Sequence, residues 1–193
     1  MSEINWKKEI CTVPNLLSLF RLLLIPVYIR IYLKADQHGD YILAGSILAV
    51  SCLTDLADGM IAREFHMVTR LGKILDPLAD KLTQFFLLLT LSSKYPFVAP
   101  MLSLFVVKEL FQLSAMLFFM QKGKALSGAL PAGKICTAAL FISLILLVLL
   151  PNLNKTIVFS LISVDTALLF YSFYNYLQAY FGRNAKLTGL EGE

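Results

Sequence analysis

The sequence predicts an all-α integral membrane protein, and three observations lead to that fold class. Of its 193 residues, 58% are hydrophobic, and the mean hydropathy is +0.71. Charged residues make up only 16% of the chain, against roughly 25% in soluble domains. Six apolar runs follow one another, each near the roughly 20 residues that a helix needs to cross a bilayer. A soluble domain of this size could not bury so much apolar surface.

Each apolar run is predicted to form one transmembrane helix. Backbone groups in lipid must be hydrogen-bonded within their own segment, and the runs are too continuous for barrel strands. Pro14 suits the first turn of the first helix. The predicted spans cover about residues 14–34, 40–62, 73–93, 97–120, 133–150 and 156–181. We expect one membrane domain over residues 1–193, with a short N-terminal juxtamembrane segment before the first span.

Lys and Arg residues are distributed unequally between the two sides of these spans. An even number of spans puts both termini on one side, and the basic residues favour that side, so the positive-inside rule places both termini in the cytoplasm. The terminal side carries Lys7, Lys8, Arg63, Arg70, Lys73, Lys122, Lys124, Lys134, Arg183 and Lys186; the opposite side carries Arg30, Lys34, Lys94 and Lys155. They form no continuous stripe, so nucleic acid is not an expected partner. The expected location is a bacterial cytoplasmic membrane.

Four aspartates lie close together in the second and third predicted spans, although a carboxylate in a bilayer is costly and usually marks function; no function is assigned to a further one, Asp165 in the sixth span. Asp55 and Asp58 are three residues apart in the second span, and Asp76 and Asp80 are four apart in the third. Each spacing puts both side chains of a pair on one helix face. A short predicted loop, 64–72, joins the two spans. The two pairs are therefore expected to meet at one depth, near the cytoplasmic face.

The residues around these acids predict a metal and phosphate site. Clustered carboxylates repel one another in a low dielectric, and divalent cations remove that repulsion. Oxygen-only ligands favour Mg²⁺, Mn²⁺ or Ca²⁺ over Zn²⁺. Gly59, Ala62 and Gly72 would let a ligand or a facing helix approach closely, and Arg63 offers a fork of donors suited to phosphate. The pattern favours chemistry on a diphosphate.

A known family carries the same pattern. Over residues 55–80 the chain has Asp-x-x-Asp-Gly-x-x-Ala-Arg, eight further residues, and Gly-x-x-x-Asp-x-x-x-Asp. This resembles the signature of the CDP-alcohol phosphatidyltransferases. The segment 13–21 (VPNLLSLFR) is similar to the family's first span, and 75–81 (LDPLADK) is similar to the form found in phosphatidylglycerophosphate synthases and eukaryotic-type cardiolipin synthases.

The resemblance implies a six-helix enzyme, commonly a homodimer, that transfers a phosphatidyl group from CDP-diacylglycerol to an alcohol and releases CMP. It implies two divalent ions, Mg²⁺ or Mn²⁺, held by residues that match Asp55, Asp58, Asp76 and Asp80. It also implies a general base at Asp80. CDP would lie along the second span, and the residues implied to contact it are Asp55, Asp58, Gly59, Ala62, Arg63 and Gly72.

The acceptor alcohol stays open among glycerol 3-phosphate, phosphatidylglycerol, inositol phosphate and serine, and residues 76–81 look less like the inositol-type enzymes. Glycerol 3-phosphate, which would give phosphatidylglycerophosphate, is favoured, and phosphatidylglycerol, the acceptor of a cardiolipin synthase, is the alternative. Glycerol 3-phosphate would need cations beside the acids, and the candidates are Arg21, Lys73, Lys81, Lys108 and Lys134. In the fourth span the chain has Lys108-Glu109 where phosphatidylglycerophosphate synthases usually have Arg-Glu, which keeps the charge and loses the bidentate fork.

Two other function classes fit the pattern less well. An intramembrane prenyltransferase also uses Asp-rich helices and Mg²⁺ on a diphosphate, but its two acidic motifs lie far apart in sequence, whereas here both lie in one predicted hairpin. A cation transporter or channel would use the acids as ion sites, but it gives no reason for the pattern of Gly59, Ala62 and Arg63.

Overall fold

A computed structural model of the protein describes residues 12–64, 72–126, 130–182 and 187–189. Within these ranges the chain forms six α-helices: α1 Val13–Leu33, α2 His38–Glu64, α3 Gly72–Lys94, α4 Ala99–Gln121, α5 Pro131–Leu149 and α6 Lys155–Phe181. A 3₁₀ helix, Pro96–Val98, precedes α4. The prediction of six helices is confirmed, and each helix begins and ends within two residues of its predicted span.

Membrane-spanning character is clearest in four helical segments. In the described part of the chain, the segments long and apolar enough to cross a bilayer are Val13–Leu33, Pro96–Gln121, Pro131–Leu149 and Lys155–Phe181. The protein is therefore an integral membrane protein. That α2 and α3 also cross the bilayer, and that both termini are cytoplasmic, stay predictions. The predicted N-terminal juxtamembrane segment lies outside the described residues.

The chain divides into two compact units. The first comprises Met1–Thr90 with Ile145–Asn152, and the second comprises Leu91–Leu144 with Leu153–Glu193. Helices α3 and α5 each contribute residues to both units. The expectation of one membrane domain over the whole chain stays a prediction.

In the first unit, α1 buries one continuous face, which is polar in the first half of the helix and apolar or aromatic in the second half. Its buried residues recur three or four positions apart, as one helix face requires, and are Asn15, Ser18, Arg21, Ile25, Tyr28 and Tyr32, with Pro14 at the start. The Tyr28 hydroxyl lies 3.0 Å from Oγ1 of Thr90 on α3. Tyr32 packs edge to face against Tyr41 of α2, with ring centroids 5.8 Å apart. The aromatic end of α1 thus anchors it to α2 and α3, and its polar end belongs to the candidate site.

Helix α2 begins with a capping interaction. The Asp40 carboxylate accepts hydrogen bonds from the backbone N–H groups of Asp36, at 3.1 Å, and Gln37, at 3.0 Å. It thereby pairs donors that the helix itself leaves unsatisfied and places a negative charge near the positive end of the helix dipole. Further along, a Cβ added at Gly45 would collide with Cδ2 of Leu149. The glycine lets the end of α5 approach α2 closely.

Aromatic packing dominates the contact between α4 and α6 in the second unit. Phe111 meets Phe173 edge to face with centroids 5.1 Å apart, and Phe119 stacks on Tyr180 at 5.4 Å. The start of α6 is fixed by Asn154, whose side chain accepts a hydrogen bond of 3.0 Å from the backbone N–H of Thr156.

A small antiparallel sheet, which the sequence did not predict, also lies in the second unit. Strand β1 (Lys124–Leu126) pairs with β2 (Leu187–Gly189), with Ala125 opposite Thr188. Gly123, immediately before β1, has φ of +67°, a left-handed conformation that glycine adopts without strain. The sheet joins the connection after α4 to the C-terminal part of the chain.

Candidate active site

Two side chains of α1 contact the two acids of α3 in the first unit. Nη1 of Arg21 lies 2.6 Å from Oδ1 of Asp80. The hydroxyl of Ser18 donates a hydrogen bond to Oδ1 of Asp76. Arg21 is 1% exposed and Asp80 is 30% exposed, so the cation is enclosed while part of its carboxylate partner is reached from outside.

Helical periodicity explains why these four side chains meet in pairs. Ser18 and Arg21 are three residues apart on α1, and Asp76 and Asp80 are four apart on α3, so each pair lies on one helix face. A buried arginine is costly unless a carboxylate compensates its charge, and Asp80 supplies that charge. Of the five cations predicted to bind the acceptor, Arg21 is thus paired with one of the predicted metal ligands.

The acids and small residues of the second predicted span lie on α2. Its helical backbone runs through Asp55, Asp58, Gly59, Ala62 and Arg63, but the side chains of these positions lie outside what the structure describes. The predicted meeting of the two acid pairs therefore stays a prediction. The same holds for the CDP contacts predicted along this helix.

The remaining predicted positions of the third span lie in the first turns of α3. Gly72 begins the helix and is buried, and Lys81, directly after Asp80, is half-buried. The side chain of Lys73 lies outside the described part of the structure. Their contacts with CDP or with an acceptor also stay predictions.

The described carboxylates fit a divalent metal by their chemistry. Carboxylate oxygens are the ligands that Mg²⁺ and Mn²⁺ prefer, and α3 supplies two carboxylates, Asp76 and Asp80, on one face. Among the side chains that the structure describes, no group of three or more His, Cys, Asp and Glu could hold a metal ion. Two of the four predicted ligands, Asp55 and Asp58, are not among those side chains. The two aspartates of α3 could therefore supply half of the four predicted metal ligands.

Two further cations predicted to bind the acceptor lie in the second unit and differ in burial. Lys108 is 2% exposed, and its Nζ lies 2.6 Å from Oε1 of Glu109 and 5.8 Å from the ring centre of Tyr176. Lys134 is exposed in the first turn of α5. The buried lysine is therefore already compensated by the neighbouring carboxylate and by the face of an aromatic ring.

Beside Lys134, Gly133 lets a tyrosine reach the start of α5. A Cβ added at Gly133 would lie 2.7 Å from the Tyr176 hydroxyl oxygen and 2.9 Å from Cε2 of the same ring. Real Cβ atoms do not approach so closely, so a larger residue at 133 would displace the ring. Since Tyr176 also faces Lys108, Gly133 helps to fix the surroundings of that lysine.

Asp165, an intramembrane acid to which sequence reasoning assigned no function, lies on α6 in the second unit. It is 2% exposed, and its Oδ1 accepts a hydrogen bond of 3.2 Å from Ser143 on α5. Within the described residues its Oδ2 has no hydrogen-bond partner. The contact ties α5 to α6 within the second unit.

Ser18 is the described site residue that sequence reasoning missed. The sequence feature that could have indicated Ser18 is a polar helix face, which Ser18 forms with Asn15 and Arg21 at three-residue intervals inside an apolar run. A serine in an apolar helix is also common where helices pack closely, so its spacing from Arg21 was the more specific clue. Polar residues at helical spacing within a span identify the face that meets a polar site.

Comparison with known proteins identifies the family. The family model described as CDP-alcohol phosphatidyltransferase matches residues 11–172, most of the chain. The chain belongs to the CDP-alcohol phosphatidyltransferase family. The matched region includes the predicted signature at 55–80 and both α1 residues that contact the α3 acids.

Relatives within the family carry different names. The chain is 45% identical over 78 residues, 40% of its length and 42% of the relative's, to a CDP-diacylglycerol–glycerol-3-phosphate 3-phosphatidyltransferase of Aquifex aeolicus. A relative of the same name in Shigella flexneri is 29% identical over 171 residues, 86% of this chain and 93% of the relative. A Mycobacterium tuberculosis protein named "Putative cardiolipin synthase" is 40% identical over 82 residues, 42% of this chain and 38% of the relative. The chain thus spans about two fifths of the length of the Mycobacterium and Aquifex relatives.

Proposed function

We propose that this protein transfers a phosphatidyl group from CDP-diacylglycerol to an alcohol acceptor and releases CMP, as a step of phospholipid biosynthesis. The observation that carries the proposal is the family match over residues 11–172, which includes the complete signature. The pairing of α1 polar groups with the α3 acids supports it, because it places a buried cation and a hydroxyl against two of the proposed metal ligands.

In the proposed reaction, the acids divide between metal binding and proton transfer. Asp55, Asp58, Asp76 and Asp80 would hold two divalent ions, Mg²⁺ or Mn²⁺. When bound, such ions polarise a phosphoryl group and neutralise the charge of a leaving phosphate. Asp80 would take the proton from the acceptor hydroxyl. The acceptor oxygen then forms a bond to the β-phosphorus, the bond from that phosphorus to the CMP phosphate oxygen breaks, and CMP leaves.

The nucleotide would be bound by the remaining signature residues. Gly59, Ala62 and Gly72 would leave room for the cytidine and diphosphate to approach the helix backbones. Arg63 would donate a bidentate pair of hydrogen bonds to the diphosphate. These roles follow the family resemblance position by position.

Glycerol 3-phosphate is the proposed acceptor. The Aquifex and Shigella relatives are named for transfer to glycerol 3-phosphate, which supports this choice. The proposed cations for its phosphate are Arg21, which lies beside Asp80, with Lys73, Lys81, Lys108 and Lys134. Phosphatidylglycerol is the second candidate, because the Mycobacterium relative is named as a cardiolipin synthase.

The proposal includes an orientation and an assembly. The N-terminal juxtamembrane segment and both termini would face the cytoplasm of a bacterial cell, and the acids would lie near the cytoplasmic face of its membrane, in accordance with the distribution of Lys and Arg. All six helices would form one membrane domain. The protein would act as a homodimer, as the family resemblance implies.

Purified protein in detergent tests the proposal. Radiolabelled CDP-diacylglycerol is offered with Mg²⁺ or Mn²⁺ and with either glycerol 3-phosphate or phosphatidylglycerol, and both CMP and the lipid product are measured. We expect metal-dependent CMP release with glycerol 3-phosphate and formation of phosphatidylglycerophosphate. Cardiolipin formed from phosphatidylglycerol would establish the second candidate. No CMP release with any alcohol would refute the reaction and favour a prenyltransferase or a cation transporter.

A further inference from the structure

Helix α1 lies outside the 55–80 signature, yet it contacts both of the α3 acids that the signature contains. One side chain of α1 serves each acid: the Ser18 hydroxyl bonds to Asp76, and the Arg21 guanidinium bonds to Asp80 at 2.6 Å. Both contacts use one oxygen, Oδ1, of the carboxylate. This regular pairing along two helices fixes two carboxylates relative to each other.

Helix packing by itself does not require these polar residues. Replacing a buried ion pair by apolar side chains of similar volume is often neutral or stabilising, so an ion pair is a poor device for stability. Elsewhere on the same buried face, α1 uses Ile25, Tyr28 and Tyr32. Ser18 and Arg21, in contrast, contact the charged carboxylates of Asp76 and Asp80.

The chemistry of the two α1 groups suits the orientation of a carboxylate. A serine hydroxyl has one proton to donate, and Ser18 lies 3.1 Å from the carbonyl oxygen of Pro14 and closer to Asp76. The planar guanidinium of Arg21 is enclosed, at 1% exposure, and its donors have fixed directions. Asp80 is 30% exposed, so it is held from its protein side while a ligand can reach it from the other.

We propose that Ser18 and Arg21 are positioning residues, which set the carboxylates of Asp76 and Asp80 in the orientations needed for metal binding and for proton transfer. The inference rests on the proposed function for the roles of the two acids. Ser18 acts on Asp76 and thereby on metal affinity. Arg21 acts on Asp80 and thereby on the rate of proton transfer as well.

The structure offers a matched control on the same two helices. The Tyr28 hydroxyl also joins α1 to α3 through a buried hydrogen bond, 3.0 Å to Oγ1 of Thr90, but it touches neither acid. Tyr28→Phe removes a hydroxyl hydrogen bond between the same two helices, with a neutral instead of a charged acceptor, seven residues from Arg21. A purely structural role of Ser18 would therefore be reproduced by Tyr28→Phe.

The test measures Mn²⁺ binding to the purified full-length protein in detergent, in the absence of lipid substrate, together with thermal unfolding. Loss of a group that orients a metal ligand typically lowers metal affinity by about 10–100-fold. We expect Ser18→Ala to weaken Mn²⁺ binding by that amount, and Ser18→Thr, which keeps the hydroxyl, to bind like the wild type. Tyr28→Phe is expected to keep the wild-type Mn²⁺ affinity while losing about as much thermal stability as Ser18→Ala does.

Arg21 is tested by kinetics of CMP release. Arg21→Lys keeps the charge and loses the fork, so we expect kcat to fall by about 10–100-fold while KM for CDP-diacylglycerol changes less. A fall in kcat equal to that of Tyr28→Phe would overturn the role of Arg21. Wild-type Mn²⁺ affinity in Ser18→Ala would overturn the role of Ser18.

The two proposals fail in distinguishable ways. If wild-type protein releases CMP and Ser18→Ala binds Mn²⁺ normally, the positioning role is wrong and the function stands. If Ser18→Ala weakens Mn²⁺ binding but wild-type protein releases no CMP, the positioning role stands and the function is wrong. If wild-type protein neither binds Mn²⁺ nor releases CMP, both are wrong.

Discussion

The ion pair between α1 and α3 predicts a measurable energetic coupling. A hydrogen bond to a charged group contributes about 1.5–3 kcal/mol, and the 30% exposure of Asp80 screens the pair, so we expect about 1.5 kcal/mol. The perturbation is a double-mutant cycle with Arg21→Met, which keeps an unbranched chain, and Asp80→Asn, which keeps the shape. Each single change removes the pair, so the double variant should lose less stability than the two single variants together.

Thermal unfolding of the four proteins in detergent measures this coupling. For a chain of this length about 1 kcal/mol corresponds to about 2–4 °C in Tm, so the double variant should unfold about 3–6 °C above the additive expectation. A matched cycle of Tyr28→Phe with Thr90→Val removes a neutral pair of 3.0 Å, for which about 0.6 kcal/mol is typical in membrane proteins. If the effects of Arg21→Met and Asp80→Asn on the free energy of unfolding add within about 0.5 kcal/mol, the predicted coupling is refuted.

Three further predictions concern the glycine beside Lys134, the metal and the proposed base. Gly133→Ala should lower the free energy of unfolding by about 1–3 kcal/mol, because the new Cβ would lie 2.7 Å from the Tyr176 hydroxyl oxygen. The control is Gly39→Ala, whose Cβ would have nothing within 4 Å. Equal stabilities of the two variants in thermal unfolding would contradict the close approach. Chelation with EDTA should abolish CMP release and Mg²⁺ or Mn²⁺ should restore it, whereas full activity in EDTA would exclude the proposed metal chemistry. Asp80→Asn should abolish transfer while weakening CDP-diacylglycerol binding less than Asp58→Asn does; equal weakening in a binding assay would count against Asp80 as the base.

Helix positions could be predicted from the sequence because lipid imposes a simple requirement on the chain. Each apolar run must satisfy its backbone hydrogen bonds internally, so a run of sufficient length becomes a helix whatever its neighbours are. The first run illustrates this: the span predicted at 14–34 is the helix Val13–Leu33. The same reasoning found the sixth helix, predicted at 156–181 and observed at Lys155–Phe181.

Contacts between distant segments could not be predicted in the same way. Strands β1 and β2 are three residues each, and neither carries an alternating pattern long enough to indicate a strand. Arg21 was predicted as a cation beside the acids, but the choice of Asp80 as its partner depends on how α1 is rotated against α3. Helical periodicity shows which residues share a face, while tertiary packing decides what that face meets.

Formal charge connects the α1 contact with the proposed metal content. The four aspartates and the two arginines proposed for the acid and nucleotide site, Arg21 and Arg63, sum to two negative charges, and the proposed lysines are set aside because they are assigned to the acceptor phosphate. One divalent ion would only neutralise this excess and leave nothing to balance a diphosphate diester, which itself carries two negative charges. Two divalent ions leave the protein site with two positive charges, which balance the two negative charges of the diphosphate. Since Arg21 is 2.6 Å from Asp80, its charge is already part of this balance before any nucleotide binds, and we expect the site to require two ions rather than one.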